Sequence, residues 1–151
     1  MPLLIRCGLG RTLATLIQVT KELTDEHHNV FHMTIGENGA KYGDRIPALW
    51  VNKAKHFRID SAVSGNQAYH QIYNYNLNQL YHFEIKQEEN SNGEIIYSIE
   101  IDGTTVHVVV NTLPQRFKEV ILYESDPWYA SFATFGELKD LTIVNLDKYP
   151  A

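Results

Sequence analysis

Cysteine is almost missing from this 151-residue chain, which contains only Cys7. A single cysteine cannot form an intramolecular disulfide, so the stability of the fold must come from packing of a core. This agrees with a reducing compartment and equally with a well-packed secreted domain. Free cysteine is among the most frequently buried residue types, so we expect Cys7 to act as a small apolar side chain rather than a reactive thiol.

Long apolar runs and an excess of basic residues are missing too. No stretch of about 18 apolar residues exists, so the sequence predicts no membrane-spanning segment. Lysine and arginine total 13 against 18 aspartate and glutamate residues, which gives a formal net charge of -5. Because an acidic chain repels phosphate groups, this balance disfavours a nucleic-acid partner.

Recognisable catalytic motifs are the third absence. None of the serines lies in a Gly-x-Ser-x-Gly turn, which exposes the nucleophile in many hydrolases. No glycine-rich loop opens a helix in the manner of a phosphate-binding site. The sequence therefore specifies a fold much more firmly than a function.

What the sequence does contain is alternation of apolar and polar residues with a period of two, which is typical of half-buried strands. A short helix over Thr20–His28, with Thr20 as its N-cap, is the local alternative. No linker or internal repeat interrupts the pattern, so we predict a single all-β domain over residues 1–151. The predicted strands cover residues 12–19, 30–35, 48–51, 56–59, 69–75, 81–86, 95–101, 104–111, 120–125 and 138–146.

Two tight turns connect consecutive strands in the second half of the chain. Asn92-Gly93 and Asp102-Gly103 tolerate the positive φ angles that short β-hairpin turns require. Three consecutive antiparallel strands, with further strands before and after them, indicate a sandwich of two antiparallel sheets.

Three segments follow one another in this half of the chain. They are LNQLYHFEIKQ (Leu77–Gln87), YSIEIDGTTVHVV (Tyr97–Val109) and Asn111–Asn145, which closes on a Gly-x-Leu-x-x-Leu-x-Ile strand. The order of these segments resembles that of laminin-G-like domains. The chain is thus similar to the concanavalin-A-like superfamily of laminin-G domains, legume-type lectins, pentraxins and galectins. The resemblance implies a two-sheet antiparallel jelly-roll sandwich and a non-catalytic, lectin-like binding module. Its expected partner is a glycan or an extracellular protein surface, and its expected location is extracellular, with a cytoplasmic location left open.

The sequence also departs from these families. The C-terminal disulfide of laminin-G domains and the His-x-Asn-x-Arg pattern of galectins are missing. The retaining β-glucanases use Glu-x-Asp-x-Glu, but here Glu100 and Asp102 are followed by Thr104 at the third acidic position. Hydrolysis needs two carboxylates that act together, and Asp102 is better explained as a turn residue. A polysaccharide hydrolase or lyase on the same scaffold stays open as an alternative.

Metal binding is a further question, because the chain has seven histidines. Three of them fall within residues 27–32, but their spacing provides no tetrahedral zinc set, so zinc is disfavoured. Calcium takes oxygen ligands from loops, and the resembling laminin-G domains and pentraxins bind it through rim loops. The loop GENGAKYGDRIP offers Glu37, Asn38 and Asp44 as calcium ligands, and an ordinary connecting loop is the alternative. No other cofactor is predicted.

The best candidate for a ligand site is the segment from residue 66 to residue 76, which is rich in tyrosine and amide side chains and contains no charged residue. The apolar face of a sugar stacks on aromatic rings. Its hydroxyl groups donate hydrogen bonds to amide oxygens and accept them from amide N–H groups. An edge strand whose tyrosines cover the sandwich is the alternative. The predicted contacts are Asn66, Tyr69, His70, Tyr73, Tyr75 and Asn76.

The loop residues Trp128 and Tyr129 are the second ligand candidate, because aromatic residues on loops often mark a binding surface. The alternative is a loop that folds back and closes one end of the sandwich. A third hypothesis for the whole chain is a structural or oligomerising matrix or toxin component. In that case the uncharged strand Tyr69–Tyr75 would pair with a second copy of the chain.

Overall fold

A computed structural model describes residues 3–145, which form twelve β-strands and no helix, so no helix in this range could cross a membrane. The protein is all-β, as the period-two pattern predicted. The strands are β1 (Leu3–Cys7), β2 (Arg11–Val19), β3 (His27–Thr34), β4 (Ala48–Asn52), β5 (His56–Val63), β6 (Asn66–Asn74), β7 (Leu80–Glu89), β8 (Ile95–Ile101), β9 (Thr104–Val110), β10 (Phe117–Tyr123), β11 (Ala130–Ser131) and β12 (Gly136–Asn145).

The strands are arranged in two sheets that pack face to face. The larger sheet has seven strands, in the order β1-β10-β3-β4-β5-β6, with the short β11 paired in parallel to β3. The smaller sheet has five strands, in the order β12-β2-β7-β8-β9. Every other pairing is antiparallel, which confirms the predicted antiparallel sandwich.

The core lies between the two sheets and follows from the alternation along each strand. In β2, Leu13, Thr15 and Ile17 are buried, and the residues between them are half-exposed. Phe57 of the larger sheet and Phe83 of the smaller sheet pack edge to face, with their ring centroids 4.8 Å apart. Both sheets therefore contribute aromatic rings to one hydrophobic core.

Both predicted hairpin turns are present. Residues 90–94 connect β7 to β8, with Gly93 at a φ of +79°. Asp102 and Gly103 connect β8 to β9 at φ angles of +53° and +80°. The Asp102 side chain also accepts a hydrogen bond of 2.8 Å from the backbone N–H of His82. This role in the turn accounts for Asp102 without any part in catalysis.

The helix considered over Thr20–His28 is wrong. Residues 20–26 form an irregular connection, and β3 already begins at His27. His27 and His28 pair with β4, and the buried ring of His28 packs on Phe135 with centroids 4.6 Å apart. Strand pairing and burial outweigh the weak preference of a segment this short for a helix.

Some predicted strands differ from the observed strands in their first or last residue. The strand predicted at residues 69–75 begins earlier, at Asn66, and the last strand begins at Gly136. Leu146, the predicted end of that last strand, lies outside the described residues. Cys7 is buried and free, as predicted.

Candidate functional site

The outer face of the seven-stranded sheet, which is turned away from the core, carries a set of large polar and aromatic side chains. Side chains alternate between the two faces along β4 and β5. The neighbours of Trp50, Arg58 and Asp60 point into the core, so these three side chains point outward. The strand register places Trp50 opposite Arg58, and Arg58 opposite Ile72 of β6. These residues therefore form a row across three neighbouring strands.

Two loops fold over this outer face. Residues 35–47 connect β3 to β4, and residues 124–129 connect β10 to β11. The guanidinium of Arg45, from the first loop, lies 4.6 Å from the ring centroid of Trp50. The ring of Tyr129, from the second loop, lies 5.5 Å from the same Trp50 ring in an edge-to-face arrangement. Both loops thus converge on one aromatic side chain of the sheet.

His32 of β3 fastens both loops to the sheet. Its Nδ1 lies 2.7 Å from a carboxylate oxygen of Asp126, and its Nε2 lies 2.6 Å from the backbone oxygen of Asp44. The other carboxylate oxygen of Asp126 accepts hydrogen bonds of 3.0 Å from the backbone N–H groups of Trp128 and Tyr129. One carboxylate therefore holds both the histidine ring and the turn that positions the aromatic residues.

Two arginines converge on the carboxylate of Asp60 beside the loops. Arg45 Nη1 lies 2.6 Å from Asp60 Oδ2, and Arg58 donates from Nε and Nη2 over 2.8 and 3.2 Å. The Asp60 side chain is fully buried, whereas Arg45 is 12% exposed and Arg58 is 30% exposed. The hydrogen bond to Asp60 raises the pKa of Arg58 further above its usual value. The three side chains together carry a formal charge of +1.

A cleft of about 110 Å³ opens next to this group. Its lining residues are His27, Arg45, Trp50, Arg58 and Tyr129. Trp50 is only 2% exposed and forms the floor, while Tyr129 and His27 are half-buried. The cleft combines hydrogen-bond donors with aromatic surface, which is the combination that binding sites for polar ligands use to fix orientation.

The tyrosines predicted as ligand contacts do not lie on this face. Tyr69 and Tyr73 are half-buried against the core, and Tyr75 is 4% exposed inside it. The hydroxyl of Tyr69 reaches the other sheet, 2.7 Å from Nε2 of His107. The segment does alternate as predicted, but the tyrosines occupy the inward positions. The prediction that these tyrosines contact a ligand on an open surface is therefore corrected, because their rings face inward and cover the core of the sandwich.

The polar residues predicted in the same segment are more exposed. Asn66 begins β6, and its side chain accepts a hydrogen bond from the N–H of Ala68. Asn76 lies beyond the end of β6 at Asn74. His70 is exposed on the outer face, at the register position opposite Asp60. The structure therefore brings His70 near the arginine group, and it leaves both asparagines at the turns.

Trp128 and Tyr129 do lie at the cleft or beside it. Trp128 is 37% exposed, and its ring packs edge-on against His32 and Tyr123, with centroids 5.4 and 5.8 Å away. Tyr129 lines the cleft directly. The loop folds back, as the alternative interpretation proposed, but over the outer face of the larger sheet.

The residues predicted as calcium ligands have other contacts in the structure. Asn38 accepts hydrogen bonds from Arg45, the backbone oxygen of Glu37 accepts one from Thr34, and Asp44 Oδ2 accepts one from the N–H of Lys41. Within residues 3–145, no group of three histidine, cysteine or acidic side chains is placed to hold a metal. Calcium binding by this loop stays a prediction.

Reasoning from the sequence missed His27, Arg45, Trp50, Arg58 and Asp60. One signal was present, because Arg58 and Asp60 alternate with the apolar Phe57 and Ile59 and so had to lie on the solvent side of β5. The contact with Arg45 had no such signal, because it depends on the path of a long loop.

No family model and no curated protein matches the sequence. Several solved structures have a similar fold. The receptor binding domain of botulinum neurotoxin D superposes with a TM-score of 0.63 at 12% identity, covering 93% of this chain and 34% of that chain. Sheep galectin-11 has a TM-score of 0.54 at 10% identity, with 95% and 96% covered. The carbohydrate binding module CBM66 from Bacillus subtilis has a TM-score of 0.50 at 12% identity, with 92% and 76% covered.

The chain spans about a third of the length of the neurotoxin chain and nearly all of the galectin. At 10–12% identity these likenesses concern the fold alone. Together with the seven- and five-stranded antiparallel sheets, they show that this chain has a concanavalin-A-like jelly-roll fold.

Proposed function

We propose that this chain is a non-catalytic carbohydrate-binding domain that binds glycan on the outer face of its seven-stranded sheet. The observation that carries the proposal is the cleft at Trp50, Arg58 and Tyr129, where arginine donors and aromatic surface converge. A galectin and a carbohydrate binding module are among the structures with the same fold, which supports this choice. An extracellular location is part of the proposal, with a cytoplasmic one as the alternative.

The chemistry of the cleft supports binding over hydrolysis. Glycosidases use two carboxylates, about 5–5.5 Å apart in retaining enzymes and about 6.5–9.5 Å apart in inverting ones. The lining residues of the cleft include no acid, and the neighbouring Asp60 is held by two arginines through both of its oxygens. A carboxylate neutralised in this way is a poor proton donor or nucleophile. A hydrolase or lyase therefore has less support than a binding module.

Screening the protein on a glycan array, followed by calorimetric titration of the best ligand, tests the proposal. Tyr129→Ala should weaken binding about tenfold or more, because removal of an aromatic anchor typically costs about 1–3 kcal/mol. The control is Val108→Ala on the other sheet, where Val108 is 61% exposed, and it should leave affinity unchanged. Binding to a protein surface is the competing outcome. An array without any glycan signal, or equal affinities for Tyr129→Ala and wild type, contradicts the proposal.

Calcium in the 35–47 loop is a separate proposal. Asp44 Oδ1 is buried and has no hydrogen-bond partner among the described residues, so a cation near it would have an acceptor to bind. A ligand that binds only the folded state raises its melting temperature. We expect calcium to raise the melting temperature over that in EDTA, and Asp44→Asn to remove the difference. Identical melting curves with calcium and with EDTA contradict calcium binding.

Self-association is the second candidate function, and the observation that favours it is a pair of uncharged edge strands. Among residues 3–145, β6 and β9 are the edge strands of the two sheets on one side of the sandwich, and neither strand contains a lysine, arginine, aspartate or glutamate. Edges without charge invite pairing with another chain. A dimer mass in light scattering that Val108→Lys reduces to a monomer mass supports this proposal. A wild-type monomer at every concentration contradicts it.

A further inference from the structure

The charges in the cleft favour an anionic sugar over a neutral one. Arg45 and Arg58 bring two positive charges, Asp60 brings one negative charge, and the other three lining residues bring no carboxylate. This local positive excess occurs in a chain whose formal net charge is -5. Partly buried charges are screened by salt less than exposed ones. A neutral ligand would leave the excess charge uncompensated, whereas an anionic one would match it.

The two arginines have different tasks. Arg45 uses every nitrogen of its guanidinium: Nε and Nη2 donate to Asn38, Nη1 donates to Asp60, and Nη2 also lies 3.5 Å from the hydroxyl of Tyr129. Arg58 directs only Nε and Nη2 at Asp60. Its Nη1 makes no hydrogen bond to any residue in the range 3–145. Arg45 therefore fixes the wall of the cleft, and Arg58 keeps donors available for a ligand.

We propose that the cleft binds the carboxylate of an acidic sugar residue, a uronic or a sialic acid, through Nη1 of Arg58, with the sugar ring against Tyr129. This inference rests on the proposed glycan-binding function and names its ligand class. Arginine suits this task because its planar donors match the geometry of a carboxylate and it stays charged at every physiological pH.

The size and surroundings of the cleft agree with this assignment. A volume of about 110 Å³ is well below the range of roughly 300–1,000 Å³ that encloses a drug-sized ligand. The cleft therefore holds one charged end of a ligand rather than a whole oligosaccharide. Beside it, Ile72 is 50% exposed at the register position opposite Arg58. Further sugar residues would extend along this open part of the sheet towards β6.

Calorimetric titration of wild-type protein with matched pairs of saccharides tests the inference. One pair is a β-1,4-glucuronan tetrasaccharide and cellotetraose, and the other is sialyllactose and lactose, so the two pairs distinguish uronic from sialic acid. In at least one pair the acidic member should bind about tenfold tighter, and this preference should shrink as the salt concentration rises. The methyl ester of the same acidic saccharide should bind like the neutral member.

Arg58 variants assign the preference to this residue. Arg58→Gln should reduce the preference for the acidic member to within about twofold, and Arg58→Lys should keep part of the preference. Lys139→Gln, which removes one positive charge from the other sheet where Lys139 is 57% exposed, is the matched control and should keep the full preference. The methyl ester needs no variant, so the test stands even if Arg58→Gln fails to fold.

The outcomes separate this inference from the function on which it rests. Equal affinities within both pairs, or a methyl ester that binds as tightly as the free acid, overturn the acidic-sugar assignment and leave glycan binding in place. A preference that survives in Arg58→Gln also overturns it. If no saccharide on the array and none of these four binds, both the inference and the proposed function are wrong.

Discussion

Removing the carboxylate of Asp60 should strongly destabilise the protein. Asp60→Ala leaves Arg45 and Arg58 without their shared counter-ion. Truncating one partner of a buried ion pair typically costs about 3–5 kcal/mol, because the remaining charge is buried and unpaired. Arg58 is 30% exposed and can turn to water, but Arg45 is 12% exposed and held against Trp50. One guanidinium rather than two is therefore left uncompensated, and we expect a loss of about 3 kcal/mol, at the low end of that range.

Urea denaturation followed by tryptophan fluorescence measures this loss. With an m-value of about 2 kcal/mol/M, a loss of 3 kcal/mol lowers the midpoint by about 1.5 M. The control is Glu137→Ala, which removes the exposed ion pair of 3.0 Å between Glu137 and Lys139 and should cost less than about 1 kcal/mol. If Asp60→Ala costs no more than this control, the two arginines do not depend on Asp60 and the electrostatic account of the cleft is refuted.

Three further predictions concern the loop anchor, the core and the thiol. Asp126→Ala should release the loop, because the backbone N–H groups of Trp128 and Tyr129 lose their acceptor. Acrylamide should then quench the fluorescence of Trp128 more strongly. Unchanged quenching would show that Asp126 does not hold the loop in place. Burial raises the pKa of Tyr75 to about 12, while the unfolded value is about 10. The folded state therefore retains the proton longer, and the contribution of Tyr75 to the free energy of unfolding should fall as pH rises from about 10 to 12, by at most about 1.4 kcal/mol per pH unit. Tyr75→Phe should flatten that fall, and equal slopes in both proteins would show that Tyr75 is not the titrating group. Burial raises the pKa of the Cys7 thiol, so Cys7 should react with a thiol reagent only after unfolding. A reducing agent should leave the melting temperature unchanged. Fast labelling of Cys7 in the native protein would contradict this prediction.

The architecture was predictable because its signals are local. The alternation in segments such as β2 depends on a few neighbouring residues, and so do the turns with a positive φ at Gly93 and at Asp102-Gly103. Their agreement along the chain is sufficient to indicate two antiparallel sheets. The aromatic loop at Trp128 and Tyr129 was also found, because aromatic residues next to a proline turn stand out in any sequence.

The rest of the candidate site depends on contacts that no local pattern contains. Alternation indicates that Tyr69, Tyr73 and Tyr75 share one side of the chain, but it does not say which side meets the core. In the structure this side faces inward, where it packs against Phe57 and its neighbours.

The arginine group is a second case of non-local contact. Arg45 and Asp60 are 15 residues apart, and a loop must return over the sheet before they meet. Asp126, on the other loop, binds the buried His32, and His32 in turn contacts the backbone of Asp44 next to Arg45. Reasoning from one sequence cannot supply such pairings, because they depend on the register of whole strands and on the path of both loops.

The central claim is that glycan binds at the cleft on the outer face of the seven-stranded sheet. Nuclear magnetic resonance of ¹⁵N-labelled protein tests it directly, because the chain has only two tryptophans, Trp50 and Trp128, and so gives two indole N–H signals. The indole nitrogen of Trp50 is buried without a hydrogen-bond partner among the described residues, so its signal reports on changes in the cleft. Titration with the glucuronan tetrasaccharide or sialyllactose should shift the Trp50 indole signal and the backbone signals of Arg58 and Tyr129. Shifts confined to the five-stranded sheet, with both indole signals unmoved, would contradict the account.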